Sequence, residues 1–559
     1  MRKILLHKKL LHLALLALIH SVHAQQPPTA GSQLQQIPPA PVPPSATPEL
    51  RIQRSQGAEA PRSGGIRILV KKLQVTGAKV YSEAELIEIT GFKTGSELTL
   101  SDLRAMALKI TGYYRGNGYF VAEAYLPEQD IKDNLVTIAV SEGQYGKVTL
   151  RNETNLSTPL AQGLLEGINT GDVIATGPLE NRLLLLSDLP GVNVSSTLVP
   201  GTTVGTSDLL VDVAPGRRVT GSIDADNAGN RYTGQYRLGA TVNLNNPLGR
   251  GDVASLRALT SGQGLKYARA SYQMQFDKAT AGIAYSRLDY SLGEEFKSLG
   301  ASGTAQIASV FGAYPLIRSR NNNLYVRLGY DNRKFQDRIA SQASVTDKKA
   351  RVLTSSLYGD SRDALGGGGF NVYALSLSTG ILDIQTAAAL AADAASAKSN
   401  GSFNKVGFSA SRLQQLTGPF SLYGAVNGQL ASKNLDVSEK MELGGMYAVR
   451  AYPEGESYAD QGYVATLEAR MQLPKFSSQL PGNTQLLGFV DTGRVTLHKS
   501  PWVIGENTRT LSGAGVGLTW ADNNNFYVRA YYARKLGSAP ATSAPDRSGR
   551  FWIQGVKYF

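Results

Sequence analysis

Tyr236-Arg-Leu-Gly-Ala-Thr-Val-Asn-Leu244 puts Tyr, Leu, Ala, Val and Leu on its even positions and Arg, Gly, Thr and Asn on its odd ones. Alternate side chains of a β-strand point to opposite faces, so this stretch has one apolar and one polar face. Leu324-Tyr-Val-Arg-Leu-Gly-Tyr330, Tyr463-Val-Ala-Thr-Leu-Glu-Ala-Arg-Met-Gln-Leu473 and Phe526-Tyr-Val-Arg-Ala-Tyr-Tyr532 repeat the arrangement. After Arg218 helical periodicity vanishes, and the remaining stretch of about 340 residues reads as strands about ten residues long. In a soluble sandwich the apolar faces would meet in a core. In a membrane barrel they meet lipid, and the polar faces line a wet lumen. Three features favour the barrel: strands near the length needed to cross a bilayer at a tilt, aromatics Tyr236, Tyr325, Tyr330, Tyr463 and Tyr532 near strand ends as girdle residues, and a chain that finishes within a strand at Phe559.

Upstream, two small units share one order. Ile66 to Val75 reads as a strand, Ser82-Glu-Ala-Glu85 as the capping-box start of a helix stopping at Gly91, and Ser101 as the start of a second helix with Leu103, Met106, Ala107 and Ile110 on one face. Strands at Tyr119 to Leu126 and Leu135 to Val140 complete a β-α-α-β-β order, and the same order recurs between Lys147 and Val213. This repetition predicts a modular arm, the alternative being one α+β domain of about 150 residues. Residues 25–65 carry Pro27, Pro28, Pro38, Pro39, Pro41, Pro43, Pro44 and Pro48 and read as a semi-extended linker, in which Glu49 to Gln56 has the make-up of a brief helix. Residues 1–24 read as a secretory signal: Arg2, Lys3, Lys8 and Lys9, then apolar Leu10 to Ile19, then Val22-His23-Ala24.

Composition narrows the function. The 559 residues contain no Cys, which excludes disulfides, thiolate metal sites and thiol nucleophiles. Four of the five His precede residue 25, leaving His498, so a His metal cluster or a Ser-His-Asp triad is not expected downstream. The formal net charge of +13 includes four cations of the signal segment, and no block of like charge points to nucleic acid. Gly366-Gly-Gly-Gly369 and Gly513-Ala-Gly-Val-Gly517 resemble nucleotide loops only in spelling, and no P-loop is present. No cofactor, metal or catalytic residue is predicted, and Asp224 and Asp226 read as acids lining a lumen.

Two segments break the barrel pattern. One is the Gly-rich loop Gly444-Gly-Met-Tyr-Ala-Val-Arg-Ala-Tyr-Pro-Glu-Gly455. The other is Gly488-Phe-Val-Asp-Thr-Gly-Arg494, where the strand period turns Phe489 and Asp491 to the lumen and makes Arg450 the candidate partner of Asp491. Here the chain resembles the Omp85 superfamily, and more closely its two-partner secretion (TpsB) branch of ShlB/FhaC/HecB type. That resemblance rests on Val449-Arg450-Ala451-Tyr452, where the family has Val-Arg-Gly-Tyr, and on Phe489-Val-Asp491 for the family's Phe-x-Asp. Asp226 to Arg237 and the turn Asn246 to Asp252 also look like this branch.

The resemblance implies α+β periplasmic POTRA repeats (residues 66–143 and 144–217) followed by an all-β transmembrane barrel of 16 antiparallel strands (residues 218–559). It implies an outer-membrane transporter, not an enzyme, exporting one large unfolded β-helical exoprotein with an N-proximal secretion domain. A plug helix at residues 49–57 is compatible with the family. The competing readings are an insertase of other barrels and a small-solute porin. Phe551 to Phe559 resembles the carboxy-terminal signal read by the barrel-assembly machinery, with Phe559, Ile553 and Phe551 apolar and Lys557 departing from the pattern. Partners are thus the exoprotein, outer-membrane lipid and, during biogenesis, that machinery.

Overall fold

The computed structural model describes residues 27–42, 49–52, 66–262, 264–475, 477 and 479–559. The signal segment read in residues 1–24 lies outside them.

Two α+β units lead into the barrel. In the first, Ser82 caps the helix Glu83–Thr90 through the Glu85 amide, and Gly91 ends it at φ 76°, a conformation open to glycine without strain. Thr99 and Asp102 form the capping box of the helix Leu100–Gly116. The helices cover a sheet in which Lys72–Thr76 runs parallel to Leu135–Ser141, which pairs antiparallel with Glu123–Tyr125 on its other side. The strand expected from Tyr119 shrinks to three residues, because Tyr119 to Ala122 turn at the helix end beside Gly118. The second unit repeats this topology. Gln144–Asn152 runs parallel to Thr206–Pro215, Val192–Pro200 pairs antiparallel with the latter, and the helices Thr158–Leu164 and Thr176–Ser187 pack above.

The linker holds two elements that its composition did not announce. Glu49–Ile52 is a strand, not a helix; it adds in parallel to the second unit, Glu49 opposite Ser195 and Ile52 opposite Leu198, because an open sheet edge offers it backbone partners. Residues 53–57 of that expected helix are outside the described residues. The helix lies upstream at Ala30–Gln35, where Thr29 and Ser32 form a capping box, and it sits inside the barrel. Small residues fit it there: a Cβ on Gly31 would come 2.7 Å from the Cβ of Ser438.

The barrel is closed, with 16 antiparallel strands from Val219–Asp226 to Gly549–Tyr558. Its strands run from 8 to 20 residues, some near the ten expected and others up to twice that. The longest, Ala301–Arg318, Asn322–Ile339, Ser344–Asp363 and Gly369–Ile384, stand beyond the apolar belt at the end away from the α+β units. Outward residues are apolar, among them Val310, Tyr330, Leu353, Leu377 and Tyr463. Tyr325 is not one of the girdle. It shares the lumen side with Arg327, and its ring stacks on Tyr358 at 5.3 Å. The seam between the last and first strands has five paired positions, Tyr558 to Gln554 against Ser222 to Asp226, extended by mutual bonds of Phe559 and Gly221 at 3.1 Å. Lys557 lies at the membrane edge and its ammonium contacts Asn525 in the adjacent turn, as a snorkelling side chain does.

Candidate functional site

The segment 432–460, between the strands Phe420–Ala431 and Gln461–Gln472, folds into the barrel and packs on its inner wall. Its own backbone bonds shape it: Val449 N to Leu443 O and Tyr452 N to Val449 O, both 3.1 Å. Val449, Ala451 and Tyr452 have no exposed surface, and the Tyr452 hydroxyl donates to Ala539 O at 3.0 Å.

Arg450 sits where the loop meets the wall. Its Nε and Nη2 donate to Asp491 at 2.8 and 2.7 Å, and its backbone N–H donates to the same carboxylate at 3.1 Å. This two-pronged geometry suits a planar guanidinium and a lysine cannot reproduce it. Nη1 donates to Glu468 at 2.8 Å, and Glu468 in turn takes Arg470 at 2.7 Å. Two cations thus face two carboxylates, and the cluster is neutral. Thr466 donates a further bond to Asp491 at 2.9 Å. The Arg450 guanidinium lies 3.4 Å from the Phe489 ring centroid and 4.9 Å from that of Tyr531, so its faces are covered by π-systems and its edges by oxygen.

The structure therefore brings Arg450, Phe489 and Asp491 together and packs Val449, Ala451 and Tyr452 beside them. Phe559 stands apart, at the seam. Four contributors were missed by the sequence reading. Glu468 stood in a quoted strand, on the polar face, and the period of two alone marked it as a lumen acid. Trp552, between outward Phe551 and Ile553, donates its indole N–H to Arg450 O at 2.7 Å. Gly513 and Gly515 lie across from Asp491 and Phe489 on the next strand. A Cβ on Gly513 would meet Ala451 at 2.4 Å, and one on Gly515 the Phe489 ring at 2.5 Å. Their bareness is what seats the loop. Ala451 adopts no positive φ, so the methyl where the family has Gly costs no backbone strain.

The helix Ala30–Gln35 closes a second part of the lumen. Ala30 N donates to Asp337 at 2.7 Å, Gln33 accepts from Thr233 at 2.7 Å, Gln35 donates to Val437 O at 2.7 Å, and Gln36 O accepts from Arg237 at 2.8 Å. Arg237 is held by Asp226 at 2.8 Å, and Arg257 pairs with Asp224 at 3.0 Å, so the two lumen acids read from the sequence are both ion-paired. The inward loop also carries Glu442 and Glu454. Burial pushes the Glu442 carboxyl up to about 8 and Glu454, with Glu442 beside it, well above the ordinary range. Among the described residues no group of His, Cys, Asp or Glu could hold a metal.

The chain is similar to known proteins. Residues 205–520 match the family described as haemolysin secretion/activation protein ShlB/FhaC/HecB, and residues 68–143 the POTRA domain of ShlB type. The heme/hemopexin transporter protein HuxB of Haemophilus influenzae (strain 86-028NP) is 31% identical over 483 residues, covering 85% of this chain and 84% of its own. The outer membrane transporter CdiB of Dickeya dadantii (strain 3937) is 24% identical over 440 residues, covering 76% and 75%. In fold, CdiB from Escherichia coli superposes with a TM-score of 0.68 at 20% identity over 91% of this chain and 92% of that one.

Proposed function

This chain belongs to the ShlB/FhaC/HecB family of two-partner secretion transporters, and from that premise we propose that it exports one large, unfolded β-helical exoprotein from the periplasm to the cell surface. The barrel stands in the outer membrane, with the α+β units on the periplasmic side. The second unit, residues 144–217, is on this reading a second POTRA module, and residues 1–24 are the leader that directs export. The observation that carries the proposal is occupation of the lumen by two pieces of the chain itself, the helix held by hydrogen bonds and the loop by buried ion pairs to the wall. A diffusion porin has no use for such stoppers.

The client binds as an added strand. The edge at Val192–Pro200 already accepts an extended segment, Glu49–Ile52, through backbone bonds that tolerate many sequences. An arriving client displaces that segment, and movement of the linker draws on the helix Ala30–Gln35. The loop remains anchored through Arg450. Folding of the exoprotein outside makes passage directional, since a folded β-helix cannot return.

Replacing Arg450 by Ala leaves Asp491 buried without a cation and Glu468 with Arg470 alone. A broken buried pair costs on the order of 3–5 kcal/mol, which undocks the loop. The expected result is a barrel that still inserts and resists heat in detergent but exports a co-expressed exoprotein poorly. Wild-type export by Arg450→Ala sinks the positioning role.

A further inference from the structure

The long strands carry a cluster of cations on their outer face that the export reading does not use. On Asn322–Ile339 and Ser344–Asp363, Lys334 stands directly opposite Lys349, and Arg351 lies two residues along on the same face. All three side chains are exposed. They point away from the lumen, because the intervening Phe335, Ala350 and Val352 are buried inside with the helix Ala30–Gln35. Two like charges directly opposite in a sheet repel each other. Asp383, opposite Lys349, and Asp347, which lines the same groove, offset this only in part: among the described residues none of the three cations has a carboxylate within ion-pair distance. Asp289 is paired with Arg287, while Asp347 and Asp383 keep their charge and accept only from the amides of Gln336 at 2.9 Å and Gln385 at 3.4 Å.

The depth of the cluster identifies its ligand. Towards the periplasm the next outward row is Val310, Tyr330 and Leu353, where the exposed apolar belt begins. The connections at 292–300 and 340–343 lie on the opposite side, at the end remote from the α+β units. The cations therefore form the outer-leaflet rim of the belt, and a groove of about 210 Å³ there is lined by Gln306, Lys334, Gln336, Asp347, Lys349 and Gln385. We propose that Lys334, Lys349 and Arg351 form a binding site for the phosphorylated headgroup of an outer-leaflet glycolipid, whose acyl chains lie on Val310, Tyr330 and Leu353. A phosphate between the two lysines removes their repulsion, and Arg351 supplies a fork matching its oxygens. Being outside the lumen, the site is independent of export.

The test uses the full-length protein in non-ionic detergent, titrated with bisphosphorylated lipid A, with dephosphorylated lipid A and with inorganic phosphate, and read by native mass spectrometry. The phosphorylated lipid is expected to bind about 10-fold or more tightly than either other probe, and Lys334→Gln/Lys349→Gln/Arg351→Gln to lose that preference. Lys334→Arg/Lys349→Arg, which keeps the charges, is expected to retain it, and heat-modifiable mobility on gels checks that each variant is folded. Equal binding of the dephosphorylated lipid overturns the proposal in favour of a plain hydrocarbon belt. Equal binding of inorganic phosphate overturns it in favour of a free-anion site, and an unaltered preference in the folded Gln variant removes these residues from it.

Discussion

Arg450 shows how much one side chain can organise. Its bonds to Asp491 and Glu468 tie one loop to two strands, and Trp552 takes hold of its carbonyl from the last strand of the barrel. Lysine at this position keeps the charge but cannot span both carboxylates while lying flat on Phe489. Arg450→Lys is therefore expected to behave closer to Arg450→Ala than to wild type in export, a comparison that separates geometry from charge. Glu442 gives the same loop a pH dependence. Its carboxyl, about 8 when docked, returns towards 4.5 when hydrated, so docking takes up a proton. The docked state is then fully favoured below about pH 4.5, loses stability as pH rises through the window from 4.5 to 8, and levels off above it. Open-channel bursts in planar bilayers should become more frequent across that window, and Glu442→Gln/Glu454→Gln, which removes both raised carboxyls, should flatten the response. A wild-type channel with the same burst frequency at pH 5 and pH 8 contradicts this.

Among the elements, those with a strong local pattern were legible from sequence. Ser82 and Gly91 punctuate the first unit's first helix because caps act within three residues of themselves, whereas the second helix is capped at Thr99, two residues before the Ser101 read as its start. The alternation from Arg218 onward predicts strands because one face meets lipid along the whole wall. What stayed hidden depends on distant partners. The helix Ala30–Gln35 has few apolar residues, and it is stable because Asp337, Thr233, Val437 and Arg237 satisfy its polar groups. Nothing within six residues could announce that. Tyr325 reads as a girdle residue because it lies near a strand end, although its parity puts it inside. Deleting residues 27–42 removes the helix without touching the wall. The barrel should assemble with unchanged heat resistance, while conductance should shift from brief openings towards a steady open level, at least until the inward loop also moves. Unchanged closure after deletion would show the loop alone to be the stopper.

At the scale of the molecule, the second α+β unit is fastened to the barrel and, among the described residues, the first is hydrogen-bonded to the second through Thr176 and Gly118. Arg318 makes a two-pronged pair with Asp188 at 2.7 Å, Arg320 meets Glu180 at 2.7 Å, and Asn181 donates to Arg318 O at 2.8 Å. A second latch joins Ser157 N to Gly249 O at 2.7 Å and Asn155 to Asn246 at 2.9 Å. The sequence foretold the units but not their fastening, since Arg318 and Asp188 lie 130 positions apart and each is an ordinary surface charge by itself. The fastening sets the edge at Val192–Pro200, where a client is proposed to bind, at a fixed position beneath the lumen. Partly exposed pairs contribute about 0.2–1 kcal/mol each, so removing both leaves the barrel intact and loosens only the arm. In Arg318→Ala/Arg320→Ala, pulsed spin-label distances from Asp212 to Lys278 should broaden relative to the parent, melting of the barrel should not change, and export should fall because the bound client no longer points at the pore. A narrow distance distribution in the double variant would assign the fastening to the Ser157 and Asn155 latch instead, and substitution of Asn155 should then produce the loss.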